Sequence, residues 1–156
     1  MEKKIVSNQV SINGTLAQVW DMLTNPAKTK LYMFGCETVT DWKPGSALLW
    51  RGNYEGKEMV FVKGFIIEMI PEKLLTYSVI DPNAAYPHTP ENHLNVTYEL
   101  KEDNGQVILT VNQYGFETAA DGEKRYEEVY NKGEGWNPIL QEIKKLVEAE
   151  NLKTHL

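Results

Sequence analysis

The stretch from His93 to Tyr114 constrains this chain more than any other. Two alternating segments, His93–Lys101 and Gln106–Tyr114, flank Asp103-Asn104-Gly105. Asn-Gly supplies the positive φ angles of a tight type I′ turn, so the pair reads as a β-hairpin. Leu94, Val96, Tyr98 and Leu100 share one side of the first strand, opposite His93, Asn95, Thr97 and Glu99. Val107, Leu109 and Val111 form one side of the second, although Ile108 weakens its polar side. Such a sheet has one wet face and one apolar face that another element must cover.

The cover is near the C-terminus. Tyr126, Val129, Tyr130, Gly133, Trp136, Leu140, Ile143 and Val147 recur at helical spacing between Asp121 and Glu150. This predicts one long helix with a buried stripe. Gly133, Gly135 and Pro138 interrupt it; Pro138 lacks an N–H and would clash with the Glu134 carbonyl, so a kink or break is expected there. Residues 151–156 read as a frayed tail after a single domain over 1–150.

The remaining elements follow from pattern and punctuation. Lys4–Ile12 alternates as a first strand. Thr15 and Gln18 make a capping box ahead of a stripe of Leu16, Val19, Trp20 and Leu23, which Asn25-Pro26 ends. Residues 27–36 suit a second short helix. Glu37–Thr40, Ser46–Tyr54, Lys57–Ile70 and Lys73–Ile80 read as strands, separated by Lys43-Pro44-Gly45, Glu55-Gly56 and Pro71-Glu72. The order is one strand, two short helices, six strands and a long helix. That is an α+β arrangement: an antiparallel meander of about seven strands, with the first strand returned beside the last.

Charge narrows the partners. The 156 residues carry a net charge of −6, which repels phosphate backbones and anionic lipid. Lys144, Lys145 and Lys153 alternate with Glu142, Glu148 and Glu150 as a solvated face. Neither nucleic-acid binding nor membrane insertion is expected. A single cysteine, Cys36, and no secretory signal suit a cytoplasmic setting.

Four motifs resemble the START-like or Bet v 1-like (SRPBCC) superfamily, and within it the branch named for the activator of heat-shock-protein-ninety ATPase. They are Val10-Ser-Ile-Asn-Gly-Thr-Leu-Ala-Gln-Val-Trp20 with Leu23-Thr-Asn-Pro26; Pro44-Gly-Ser-Ala-Leu-Leu-Trp-Arg51; Lys63-Gly-Phe-Ile-Ile-Glu-Met-Ile-Pro-Glu-Lys-Leu-Leu-Thr-Tyr77; and Gly135-Trp-Asn-Pro-Ile-Leu-Gln-Glu-Ile-Lys-Lys-Leu-Val-Glu148. The resemblance covers nearly the whole chain. It implies a helix-grip fold, a curved sheet wrapped on the C-terminal helix. It also implies a cavity between them of the kind that holds lipids, sterols or polyketide-like molecules. Some relatives are cofactor-free cyclases or hydrolases. The co-chaperone relatives carry an additional N-terminal domain that is not present in these 156 residues.

Aromatic residues are the natural lining of such a cavity, and a Tyr hydroxyl can orient a ligand. The ligand-binding candidates are Trp50, Tyr54, Phe61, Phe65, Tyr77, Tyr98, Tyr130, Trp136 and Leu140. Plain core packing is the alternative for each. Arg51 and Glu68 could pair to anchor a polar head, but both read more simply as facing solvent. Asp81–His93, with three prolines and His88, Glu91 and His93, reads as a stiffened lid over the cavity mouth. Its histidine spacing matches no zinc motif. Cys36 reads as a half-buried small residue.

No nucleophile–base pair, phosphate loop or metal spacing is visible, so no catalytic residue, cofactor or metal is assigned. The leading expectation is a non-enzymatic carrier or sensor of a small apolar molecule. A cofactor-free enzyme acting on such a molecule and a chaperone-activating protein module are the alternatives. Monomer and homodimer both remain open, because edge strands can pair between chains.

Overall fold

The computed structural model describes residues 1–154. A first strand, β1 (Val6–Asn13), leads into helices α1 (Leu16–Thr24) and α2 (Pro26–Tyr32). Six strands follow: β2 (Glu37–Val39), β3 (Ala47–Tyr54), β4 (Lys57–Ile70), β5 (Leu74–Val79), β6 (Leu94–Asp103) and β7 (Gln106–Tyr114). Helices α3 (Gly122–Tyr130) and α4 (Asn137–Thr154) complete the chain. The strands form one antiparallel sheet in the order β1-β7-β6-β5-β4-β3-β2. This is the helix-grip α+β fold. No helix among the described residues is long and apolar enough to cross a membrane.

Local chemistry sets the element ends. The Thr15 hydroxyl accepts from the Gln18 N–H at 3.1 Å, and Gln18 Oε1 accepts from the Thr15 N–H at 2.9 Å. That reciprocal box satisfies two free donors at the start of α1. Asn104 and Gly105 take φ values of 51° and 80°, as a type I′ turn requires.

Inward phases of the strands meet α4. Val6, Val10 and Ile12 of β1, Val107, Leu109 and Val111 of β7, and Leu140, Ile143 and Val147 of α4 are all buried. Asn8 shares the inward phase of β1, and its Oδ1 accepts the Trp136 N–H at 3.0 Å. A polar side chain on the apolar face thus caps the start of α4.

The sheet bends at two irregularities. Trp50 pairs with Val62 and Arg51 with Val60, which leaves Phe61 as the extra residue of a bulge. A second shift leaves Ile67 extra between Ile66 and Glu68. Bulges raise local twist and re-aim the residues around them. Between them Gly64 lies against β5, where a Cβ would overlap the Ser78 carbonyl oxygen. Only glycine permits that approach.

The C-terminal segment breaks, but not at the proline where the kink or break is expected. It is two helices, and the break lies at residues 131–136, upstream of Pro138. Asn131, Lys132, Gly133 and Gly135 all have positive φ, from 48° to 95°, and end α3. Pro138 is the second residue of α4, where its missing N–H has no helical partner to lose. Of the expected tail, residues 151–154 continue α4, and 155–156 lie outside the described residues.

Candidate functional site

A cavity of about 680 Å³ lies against the sheet, lined in part by Asn131 and Gly135 of the break between α3 and α4. Ligand sites span roughly 300–1,000 Å³. Its floor is a row across three neighbouring strands. Tyr77 pairs with Val96, and Val96 with Gln113, so all three present the same face side by side. Trp50, Phe61, Val62 and Val79 extend the sheet wall. Val129, Trp136 and Ile139 close the helical side. Met33, Phe34 and Cys36 come from the connection after α2, and Glu128 and Asn131 add polar groups from α3 and the turn after it.

Of the sequence candidates, Trp50, Phe61, Tyr77 and Trp136 meet at this cavity. Tyr98 lies behind them, buried, with its hydroxyl 2.7 Å from that of Tyr77 and its ring edge-on to Trp136. Leu140 is sealed in the core one turn along α4. The other three are elsewhere. Tyr54 is exposed at the end of β3. Phe65 is 45% exposed on the convex face and stacks on His93 at 5.7 Å. Tyr130 is 42% exposed and stacks on Tyr126 at 5.5 Å. An aromatic residue does not reveal its own strand phase. Phe65 alternates with buried Gly64 and Ile66 and so faces out, whereas the bulge turns Phe61 to the cavity.

The Asp81–His93 loop also sits differently from the lid expected of it. None of its residues lines the cavity. Arg125 Nη1 donates to the Asn92 carbonyl at 2.7 Å, and Asn92 Oδ1 accepts from the Ala120 N–H at 2.9 Å, which ties the loop to the start of α3. His93 Nδ1 and Ser78 Oγ are 2.8 Å apart. Ser78 Oγ also accepts the Phe65 N–H at 3.0 Å, so this hydroxyl joins β4 to the His93 ring. Burial lowers the His93 pKa. Arg51 bonds Glu58 at 3.0 Å and Glu68 is exposed, so neither enters the cavity. Among the described residues no three His, Cys, Asp or Glu side chains are grouped as metal ligands.

Inside, the polar groups are few, and Glu128 is the one charged residue among the described lining. The Trp136 indole N–H donates to Gln113 Oε1 at 2.8 Å. Burial raises the pKa of Tyr77 and Tyr98, so both phenols stay protonated at neutral pH. Desolvation also pushes the Cys36 thiol up, away from the thiolate that nucleophilic chemistry needs. Gln113 was missed in the sequence. It lies two residues beyond Val111 on the inward phase of β7, and a polar residue on an apolar phase was the available signal.

The family model described as activator of Hsp90 ATPase homolog 1-like protein matches residues 13–148. The chain belongs to this family. Among solved structures, the protein ChR145 from Cytophaga hutchinsonii is 34% identical, with a TM-score of 0.72 over 96% of this chain and 98% of that one. CalU16 from Micromonospora echinospora, at 16% identity, gives a TM-score of 0.66 over 93% of this chain and 74% of that one. The Aha1 dimer from Colwellia psychrerythraea, at 13% identity, also gives 0.66, over 93% and 96%. The two distant likenesses show the fold alone. No curated protein matches the chain.

Proposed function

We propose that this family member holds one small apolar molecule in the cavity between its sheet and its C-terminal helices, as a carrier or sensor. The observation that carries the reading is the unfilled space itself. A sheet and helix that served only as a core would pack to near-crystalline density, yet a cleft of about 680 Å³, open to solvent beside exposed Phe34, reaches in to Tyr77, Val96, Trp136 and Ile139. The walls are mainly hydrocarbon and aromatic. Enclosing an apolar guest gains about 25 cal/mol per Å² of apolar area withdrawn from water, before ordering costs. A catalytic role has less support, because the buried phenols and the thiol are held in their neutral forms.

Titration with the apolar fluorophore 1-aminoanthracene tests this. The expected result is one saturable site that quenches tryptophan emission, since Trp50 and Trp136 line the cavity. Ile139→Trp, which adds bulk from the partly buried wall of α4, should abolish binding while the protein still unfolds cooperatively. Undiminished binding by that variant would show that the probe sits elsewhere.

A further inference from the structure

We infer that the molecule held here carries an uncharged carbonyl-type acceptor at its buried end, met by the amide of Gln113 and the hydroxyl of Tyr77. The inference rests on the ligand-holding reading above and names the chemistry of its guest.

An indole N–H can only donate. The Gln113 atom that faces Trp136 Nε1 at 2.8 Å must therefore be the carbonyl oxygen. That fixes the amide, and its NH2 group turns the other way. Gln113 is 94% buried, with 6% of its surface exposed. Its Nε2 nevertheless has no hydrogen-bond partner among the described residues, while the residue lines the cavity. Nε2 is not among the fully buried side-chain atoms left without a partner, so the cavity reaches it, and a guest that displaced water from it without replacing the bond would lose affinity. Here the open space in front of it can supply the partner.

The tyrosine pair adds a second donor by proton count. Two hydroxyls 2.7 Å apart share one hydrogen bond and own two hydrogens. One hydrogen is left over. If Tyr77 donated to Tyr98, the surplus proton would sit on Tyr98, which does not line the cavity and has no other acceptor among the described residues. If Tyr98 donates to Tyr77, the surplus proton belongs to the residue that lines the cavity. The second arrangement avoids the stranded donor.

Tyr77 and Gln113 flank Val96 in one row across β5, β6 and β7. Adjacent strands are about 4.8 Å apart, so their backbones are about 10 Å apart, and both side chains can converge over Val96. Two uncharged donors suit the two lone pairs of a ketone, aldehyde, ester or amide oxygen. A carboxylate is disfavoured: the one charged lining residue among those described is Glu128, which is acidic.

Matched probes decide it. 2-Acetylnaphthalene carries a ketone where 2-ethylnaphthalene carries hydrogens, and 2-naphthoate carries a carboxylate. The full chain should bind the ketone about five- to tenfold more tightly than the hydrocarbon, the range of one to two neutral hydrogen bonds. It should bind the carboxylate more weakly than the ketone. The infrared carbonyl band of bound ketone should lie below its position in hexane. Gln113→Met should narrow the ketone preference to about two- to threefold, the share left to the Tyr77 hydroxyl. Equal affinities in the unaltered protein, or a bound carbonyl band at its hexane position, overturn the acceptor proposal and leave the cavity reading standing. Failure of all three probes to bind overturns both. Because the infrared band is read on the unaltered protein, it decides the matter even if the Met variant does not fold.

Discussion

Removing the Tyr77 hydroxyl should cost more stability than removing that of Tyr98, although the two share one hydrogen bond. In Tyr77→Phe the Tyr98 hydroxyl keeps its place in the core and loses its partner, 2.7 Å away. Tyr98 and Tyr77 are equally buried, each with 1% of its surface exposed, but only Tyr77 borders the cavity, so no water can replace the bond on the Tyr98 side. The cost of an unsatisfied buried hydroxyl is about 1–3 kcal/mol. In Tyr98→Phe the remaining hydroxyl is that of Tyr77, beside an open cavity where water can serve it. The expected cost is about 0.5–1 kcal/mol, the net worth of one exchanged hydrogen bond. The double variant strands nothing and should fall within about 1 kcal/mol of the unaltered protein, well short of the two losses added together. Urea unfolding measures all four corners of the cycle, with the slope m checked for constancy. For a chain of this size 1 kcal/mol moves the thermal midpoint by about 2–4 °C, so the asymmetry is resolvable. Equal single losses that add in the double variant would refute the proton count and, with it, the second donor assigned to the cavity.

Three further outcomes follow from the packing. Gly64→Ala should destabilise by about 3 kcal/mol or more, because its Cβ meets backbone rather than a movable side chain; a thermal midpoint unchanged within error would contradict the close approach of β4 to β5. Burial lowers the pKa of His93 below its ordinary 6.5, so the unfolded chain takes up this proton first. The associated stability is complete above that value and is lost as pH falls from there through the lowered pKa of the folded state. Urea midpoints measured from pH 8 to pH 5 should decline accordingly, and His93→Gln should flatten the decline. Thr15→Ala removes one side of the capping box and should cost about 1 kcal/mol, read as a lower urea midpoint, with the Asn104-Gly105 hairpin intact by NMR.

Local patterning carried most of the architecture. The Lys57–Ile70 and Gln106–Tyr114 strands end where the sequence says they do, since Glu55-Gly56 and Asn104-Gly105 are turn residues with the positive φ values such turns demand. The capping box at Thr15 formed as its residue types imply. The helix break was harder to read. Pro138 dominates the sequence as a breaker, but a proline within the first turn of a helix breaks nothing. Gly133 and Gly135, the other two interruptions in the sequence, mark the true break together with Asn131; all three accept left-handed backbone at low cost.

The cavity was legible as a consequence of the fold and much less so residue by residue. Composition identifies aromatics, while phase and bulges decide where they point. Phe61 and Phe65, four residues apart on one strand, face different surroundings because a β-bulge lies at Phe61. Cys36, read as half-buried, is 5% exposed and belongs to the cavity wall. Val79, Val96 and Ile139 looked like ordinary core residues, and nothing in their identity distinguishes a wall of a void from packed interior. Gln113 and Asn8 were more accessible. Each interrupts an apolar phase, and each turns out to bond Trp136, one through the indole and one through the backbone.

Methyl-labelled NMR, with 1-aminoanthracene added stepwise, tests the central claim most directly. The account predicts saturable shifts confined to Val62, Val79, Val96, Val129 and Ile139, with Leu109, Ile143 and Val147 deeper in the core unmoved. Shifts scattered over exposed residues such as Ile67 and Leu152, or no shift at the five wall positions, would contradict it.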